Sequence, residues 1–436
     1  MISDDKLKQL RREREARNRS RRVEETWEKI ASESGLTARE KLERLVSLTA
    51  RPSPARQRPS PESVDRILPR EAVTVVENSY TLETSYGQVP LALGLNVPGK
   101  VLAFLSRDPE FESLGLDSAL FLDLETTGLA GGTGTVPFLV GMGYYREDRF
   151  RVTQYFLADL ADEERFIREV GAFIKDMGFR SLVTYNGKAF DLPLLETRFA
   201  LSRAPFPAGG LPHLDFLYSA RVLWRQRYES CRLFNLAQQL VRAGRDEDIP
   251  GAEIPARYFE FLRSGDLSLI DPIIYHNQED LLSLLTVVIS GAALVAGLNG
   301  AGRDYEADAS ELYGAARLFE TAGEVETSIA ILEKVVGKEP GADVMRRAKK
   351  KLGEQLKRRG VWDKALRVWK DGAACGDIVC LKELAKYYEH KEKNYELAAS
   401  FAQQGLEAVI GTGSGDELDF SRRLARLRQK MEKRAR

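Results

Sequence analysis

Three short segments carry residues whose types and spacing can do chemistry. The first is Leu122-Asp123-Leu124-Glu125. On a strand, side chains two apart share a face, so both carboxylates project together while Leu122 and Leu124 pack behind them. Neighbouring carboxylates repel until something neutralises them, and a divalent cation does this best. Thr126-Thr127-Gly128 then turns the chain and offers hydroxyls and backbone N–H groups to a phosphate or a substrate terminus. A DxE pair alone is common on exposed strand faces; within DLETTGL, behind an apolar strand start, it carries more weight.

The second segment, residues 184–193, reads TYNGKAFDLP: a strand that ends at an Asn-Gly turn, with a helix beginning near Asp191. Taken by itself, Asp191 reads as a helix N-cap. Asn186 and Lys188 are candidates to orient a phosphate or sugar. Phe190 is expected to pack in the core, with contact to a terminal base as the alternative. The third segment is Tyr275-His276-Asn277-Gln278-Glu279-Asp280. If it is helical, His276 and Asp280 lie four apart on one face. An imidazole that titrates near neutrality, one turn from a carboxylate, suits the activation of water. His213 and His390 lack such a companion and read as structural, and Asp215 reads as a cap.

These segments must be positioned by larger elements. Residues 118–298 read as an α/β domain with a mixed sheet: buried strands in SALFLDLETTGL, VPFLVGMGYY and FRVTQYFLA, a helix over 162–177 with apolar residues at helical spacing, a strand at SLVTYNG and a helix from FDLPLLETRFAL. From Leu214 to about Leu298 the pattern is mostly helical. Upstream, residues 1–70 read as charged helix followed by a Pro/Ser-rich linker, and 71–117 as a small β-rich piece, either an independent hairpin or an edge on the next domain. Residues 305–410 show a period near 34. Leu312, Ala316, Phe319, Leu332, Val335 and Pro340 begin a pattern that returns at Leu352, Gly353, Leu356, Ala365 and Trp369, then more loosely at Leu384, Ala385, Tyr388 and Ala398. Residues 411–436 form a basic tail.

Composition narrows the chemistry. Lys plus Arg equals Asp plus Glu at 65 each in 436 residues, so bulk charge advertises no polyanionic partner. The basic stretches 6–22 and 422–436 are expected to be solvated faces, with phosphate contact as the alternative. Three scattered cysteines form neither a disulfide framework nor a CxxC pair, so any metal is expected on carboxylates, which favours Mg²⁺ or Mn²⁺ over zinc. No apolar run reads as a membrane span and no apolar signal core opens the chain, so the expected location is cytoplasmic, with no membrane partner.

The three ordered motifs resemble those of the DEDD exonuclease superfamily, and within it the bacterial YprB-like family of ribonuclease-H-like nucleases. The loop GGTGTVPFLVG and the segment IPGAEIPARYFEFLRSGD add to that likeness, which is strong over roughly 118–295. The resemblance implies a ribonuclease-H-like mixed sheet flanked by helices, with an all-α tetratricopeptide-like domain after it. Asp123, Glu125, Asp191 and Asp280 would ligate two divalent ions, with His276 as the general base. Substrate contacts are expected from Thr126, Thr127, Asn186, Lys188 and Phe190. One superfamily branch has Tyr four residues before the last Asp and another has His five before; this chain has His276 at four and Tyr275 at five. The implied activity is 3′→5′ exonuclease action, with DNA favoured over RNA, a role in repair, and a protein partner (a helicase among the candidates) on the repeats. An RNA exonuclease on the same site and a non-catalytic adaptor are the competing readings.

Overall fold

The computed structural model describes residues 73–128, 134–245, 248–298, 307–338, 341–410 and 415–435. The charged N-terminal segment and linker, part of the loop after the first motif, most of the linker near 300, and Pro340 lie outside the described residues.

A six-stranded mixed sheet organises the first part of the chain. Its strands are β1 (Val73–Thr81), β4 (Ala119–Thr126), β5 (Pro137–Arg146), β6 (Arg149–Leu157), β7 (Ser181–Thr184) and β8 (His213–Asp215), in the order β1-β6-β5-β4-β7-β8. β2 (Ser85–Tyr86) and β3 (Val89–Pro90) form a separate small ladder. β1, β6, β5 and β4 run antiparallel to one another, whereas β7 and β8 continue parallel to β4. β5 is buried along nearly its whole length, which is why PFLVGMGYY is continuously apolar. β1 alternates exposed and half-buried residues, as an edge strand with one wet face does. By pairing with β6, β1 makes the segment after residue 71 an edge of the main sheet rather than a freestanding hairpin.

Strand alternation assigns the two sides of the sheet. Leu120, Leu122 and Leu182 face a core shared with α2 (Glu163–Met177) and α6 (Ile254–Ser264), through Phe166, Ile167, Ile174, Ile254 and Tyr258. Phe121 and Val183 face the other way, into a core with α1 (Gly99–Ser106), α4 (Phe216–Trp224) and α7 (Asp271–Leu298). Asp123 and Glu125 share Phe121's parity and therefore point towards α7. α7 runs 28 residues and is apolar almost all round. The stretch Leu267–Leu298 is long and apolar enough to cross a membrane, contrary to the sequence expectation, yet 83% of its apolar window is buried inside the fold. Its apolarity serves the core on every side.

The remainder is helical: α8 (Ala309–Thr321), α9 (Val325–Gly337), α10 (Ala342–Arg358), α11 (Trp362–Ala374), α12 (Ile378–His390), α13 (Tyr395–Val409) and α14 (Gly415–Ala435). The basic stretch after residue 422 belongs to α14, where Phe420, Leu424 and Leu427 are buried against α12 and α13, and Arg423, Arg426 and Lys430 surround the buried Glu389 carboxylate. The helical part is continuous with the sheet's core. A Cβ on Gly314 would lie 2.2 Å from the Leu223 carbonyl oxygen, and Trp224 Nε1 donates to Glu311 Oε1 at 3.2 Å.

Within this region small residues accept large ones. A Cβ on Gly353 would lie 2.1 Å from Trp369 Nε1, so glycine there lets α10 and α11 approach around the buried indole. Trp369→Ala is expected to cost about 3–5 kcal/mol, through lost burial and a residual cavity. A denaturant melt that leaves the transition midpoint unchanged would refute this account of the packing.

Candidate active site

β4 delivers the first two acids. Asp123 and Glu125 sit opposite Gly141 and Leu139 of β5, and the register shifts between Glu125 and Thr126 as the ladder ends. The turn hydroxyls hold the turn itself: Thr126 Oγ1 donates to the Gly128 carbonyl at 2.8 Å, and Thr127 Oγ1 accepts from Val136 N at 3.0 Å. α7 approaches Asp123 through Asn277, whose Nδ2 donates to Asp123 Oδ2 at 2.8 Å. Asn277 Oδ1 in turn accepts from Gln154 Nε2 on β6, also at 2.8 Å. A Cβ on residue 141 would stand 2.0 Å from Asn277 Oδ1, so only glycine lets the Asn reach the strand.

Asp191 opens α3 (Asp191–Leu201), directly after the turn that ends β7. Asp215 organises that turn. Its Oδ1 accepts from Asn186 N at 2.7 Å and Leu217 N at 3.2 Å, and its Oδ2 accepts from Lys188 N at 3.0 Å. One carboxylate thus caps α4 and fixes the loop that presents Asp191. Asn186 adopts a positive φ of 72°, which Asn tolerates better than most residues. Lys188 and Phe190 are exposed, and Phe190 at 58% contradicts the expectation of core packing. His213 donates to or accepts from Thr184 Oγ1 at 2.8 Å, and burial together with the Lys188 charge lowers its pKa to about 4, which keeps the ring neutral.

The third motif is helical, and His276 and Asp280 do share a face. His276 Nδ1 lies 2.7 Å from Asp248 Oδ1, while Nε2 faces Asp280 Oδ2 at 3.6 Å and Glu125 Oε1 at 3.9 Å. Burial works to lower the His276 pKa, but the Asp248 hydrogen bond and the Asp280 charge outweigh it, so the net shift is upward. Asp280 Oδ1 meets Arg245 Nη2 at 2.5 Å. Arg245, with a side chain 0% exposed, also reaches Asp248 at 3.2 Å, the Glu279 carbonyl at 2.9 Å and Ser283 Oγ at 2.6 Å. Tyr86 Oη donates to Glu279 Oε2 at 2.7 Å, tying the β2–β3 segment to the same helix.

The four acids occupy one electrostatic neighbourhood. Burial, and then the charges of Asp280 and Asp191, hold the Asp123 carboxyl well above its usual range. Burial and the charges of Asp123, Asp280 and Asp191 do the same to Glu125. Asp191 is raised to about 7, chiefly by burial, against backbone hydrogen bonds that favour its charged form. Among the described residues no three His, Cys, Asp or Glu side chains stand in a ready cation-holding group. The donor chemistry nonetheless fits hard divalent ions: half-buried carboxylate oxygens that repel one another gain most from a shared cation.

Sequence reasoning missed Asp248, Arg245, Asn277 and Gln154. Asp248 and Arg245 lie in a loop whose charged residues look solvated in sequence, and Gln154 sits within an apolar strand. Asn277 stood inside the third motif, and its neighbour Gly141 was the signal that something approaches β5 closely.

A family model described as RNase_H superfamily matches residues 120–290, the span that holds all four acids. That superfamily supports a nuclease-type phosphodiester hydrolase that binds nucleic acid and, as its members generally do, uses divalent metals. The uncharacterized protein YprB of Bacillus subtilis (strain 168) is 31% identical over 333 residues, 75% of this chain and 78% of the relative. The chain therefore belongs to the YprB family. A family B DNA polymerase from the hyperthermophilic archaeon Pyrobaculum calidifontis aligns at 16% identity with a TM-score of 0.33, covering 47% of this chain and 29% of the polymerase.

The raised acids set a sign for stability. A carboxyl whose folded pKa exceeds its unfolded one binds more protons when folded, so stability falls as pH climbs from the unfolded value towards the folded one. With a chelator present, the melting temperature should drop between about pH 4, where free carboxyls titrate, and pH 7, where Asp191 does. Asp191→Asn should flatten that decline and raise the melting temperature at pH 8. A decline equally steep in the variant would contradict the burial argument.

Proposed function

We propose that this protein is a divalent-metal-dependent exonuclease that removes nucleotides from the 3′ end of a strand, with DNA as the favoured substrate. The observation that carries the reading is the convergence of four half-buried acids from three distant motifs, two of which, Glu125 and Asp280, face His276. Asp123, Glu125, Asp191 and Asp280 would hold two Mg²⁺ or Mn²⁺ ions. When bound, the ions supply Lewis-acid stabilisation of charge on the attacking and leaving oxygens.

The chain's own residues supply the rest. His276 takes a proton from the attacking water at Nε2, the nitrogen that faces Glu125 and Asp280. Asp248 anchors Nδ1, so the ring presents one fixed nitrogen to the water. Asn277 holds the Asp123 carboxylate in orientation. Arg245 contributes a fixed positive charge on Asp280 that limits the mutual repulsion of the acids. Lys188 and the exposed Phe190 flank Asp191 and are assigned to the terminal nucleotide, the cation to phosphate and the ring to the base. Thr126 and Thr127, with hydroxyls engaged in their own turn, contribute backbone shape.

The retained set of acids favours this reading over a non-catalytic adaptor. RNA remains the second substrate to test. We read the helical part as tetratricopeptide-like, supported by glycine-against-tryptophan packing, and assign it to a protein partner, a helicase among the candidates, in a cytoplasmic repair setting.

A 5′-labelled DNA strand should shorten stepwise with Mn²⁺ or Mg²⁺, and Asp123→Asn should abolish shortening while keeping the far-UV spectrum. Wild-type protein that leaves DNA and RNA, single-stranded and duplex, intact with both ions would overturn the reading. Asp248→Asn should lower kcat by about 10–100-fold, the usual effect of losing such a support. Because Asp248 raises the His276 pKa, the same variant should move the acid limb of the pH–rate profile to lower pH, and an unmoved limb would reject that role.

A further inference from the structure

A groove of about 720 Å³ opens on the outer side of the turn that presents Asp191, and three arginines line it: Arg221, Arg225 and Arg232. Its volume falls within the range of roughly 300–1,000 Å³ typical of ligand sites. Asn186 and Tyr185 form the wall nearest the acids, and Glu229 is the one acidic residue among the lining side chains. Arg221 lies on α4, Arg225 at its C-terminal cap, and Arg232 at the N-terminal cap of the short helix α5 (Leu233–Leu236). Tyr185 Oη donates to the Cys231 carbonyl and pins the second of these segments to the end of β7.

All three arginines are exposed, and no carboxylate among the described residues pairs with any of them. By contrast, the next arginine along, Arg227, is matched by Asp308 and Glu311. Arg221 and Arg225 stand one helical turn apart, a spacing at which like charges disfavour the helix. Three guanidinium groups lining one groove without carboxylate partners make sense against an anionic partner. Tyr218, 52% exposed, precedes Arg221 by three residues on the same helix and adds an aromatic face beside that row. The groove and the acids share the Asn186 turn, so an anion lying along the arginines would be continuous with the chemistry.

We propose that this arginine groove binds the phosphodiester backbone of the substrate strand beyond the nucleotide held at the acids. The inference rests on the nuclease reading for its substrate but makes a separate demand on binding. The guanidinium fork matches phosphate oxygens in pairs, whereas base identity is left unread. The groove thereby favours a polymer over a mononucleotide: phosphates at successive positions engage successive arginines, and a single nucleotide held by the acids, Lys188 and Phe190 does not extend to them.

The test compares wild-type protein with R221Q/R225Q/R232Q and with R221K/R225K/R232K, the latter keeping the charge. Binding of dye-labelled 20-nucleotide DNA and RNA is read by fluorescence anisotropy in EDTA over a salt series. Hydrolysis of the p-nitrophenyl ester of thymidine 5′-monophosphate is read with Mn²⁺. The glutamine triple should bind the 20-mers at least tenfold more weakly, with a salt slope shallower by about two, as loss of three phosphate contacts on a single strand requires. The lysine triple should keep most of the slope, and ester hydrolysis should be alike in all three proteins. Wild-type affinity and slope in the glutamine triple would overturn the proposal, as would polyglutamate displacing the strand as well as unlabelled DNA does. Should the triple misfold, single Arg225→Gln and Arg232→Gln variants, each shallower in slope by about 0.7, decide the matter. A wild-type protein that hydrolyses neither ester nor strand but still binds through the arginines would sink the nuclease reading alone.

Discussion

Like charges buried together must be compensated, and this requirement organises the centre of the molecule. Asp123, Glu125, Asp191 and Asp280 sit where water cannot fully screen them, and each charge raises the energetic cost of its neighbours. Arg245 offsets part of that repulsion from a fully buried position, and it does so by gripping Asp280 and Asp248 at once. Asn277 adds a hydrogen bond to Asp123. The fold itself meets the cost of bringing the acids together, through Arg245 and Asn277.

The surrounding architecture reads as the support such a cluster demands. β4 places two acids on one face because strand side chains alternate, and the opposite parity sends Leu120 and Leu122 into the other core. The parallel pairing of β7 with β4 brings the Asn186 turn beside the first motif, and Asp215 at the end of β8 stiffens that turn with backbone hydrogen bonds. α7 is buried nearly all round, which locks its rotation and hence the direction of His276, Asn277 and Asp280. Glycine at 141 is the complementary detail, since any side chain there would push α7 off the strand.

The helical part is not an appendage hung on a flexible tether. Its first helix packs on α4 through Gly314, and the Trp224–Glu311–Arg227 contacts join the two along one continuous core. α4 carries Arg221 on its exposed face while its buried face meets the helices. α4 thus joins the helical part to the groove that Arg221 lines.

The sequence by itself determined the mixed sheet, the helical spacing of His276 and Asp280, and the helical character of the region beyond residue 305. These are legible because alternation and the 3.6-residue repeat are local consequences of backbone geometry. Only the tertiary structure decided that Asp248 orients His276, that Arg245 lies among the acids, that Phe190 faces solvent, and that β1 closes the sheet's edge. Each depends on which distant segment arrives beside another. A lone Asp in a charged loop looks the same in sequence whether it meets water or an imidazole; folding replaces the water with a partner, and that exchange has no local signature.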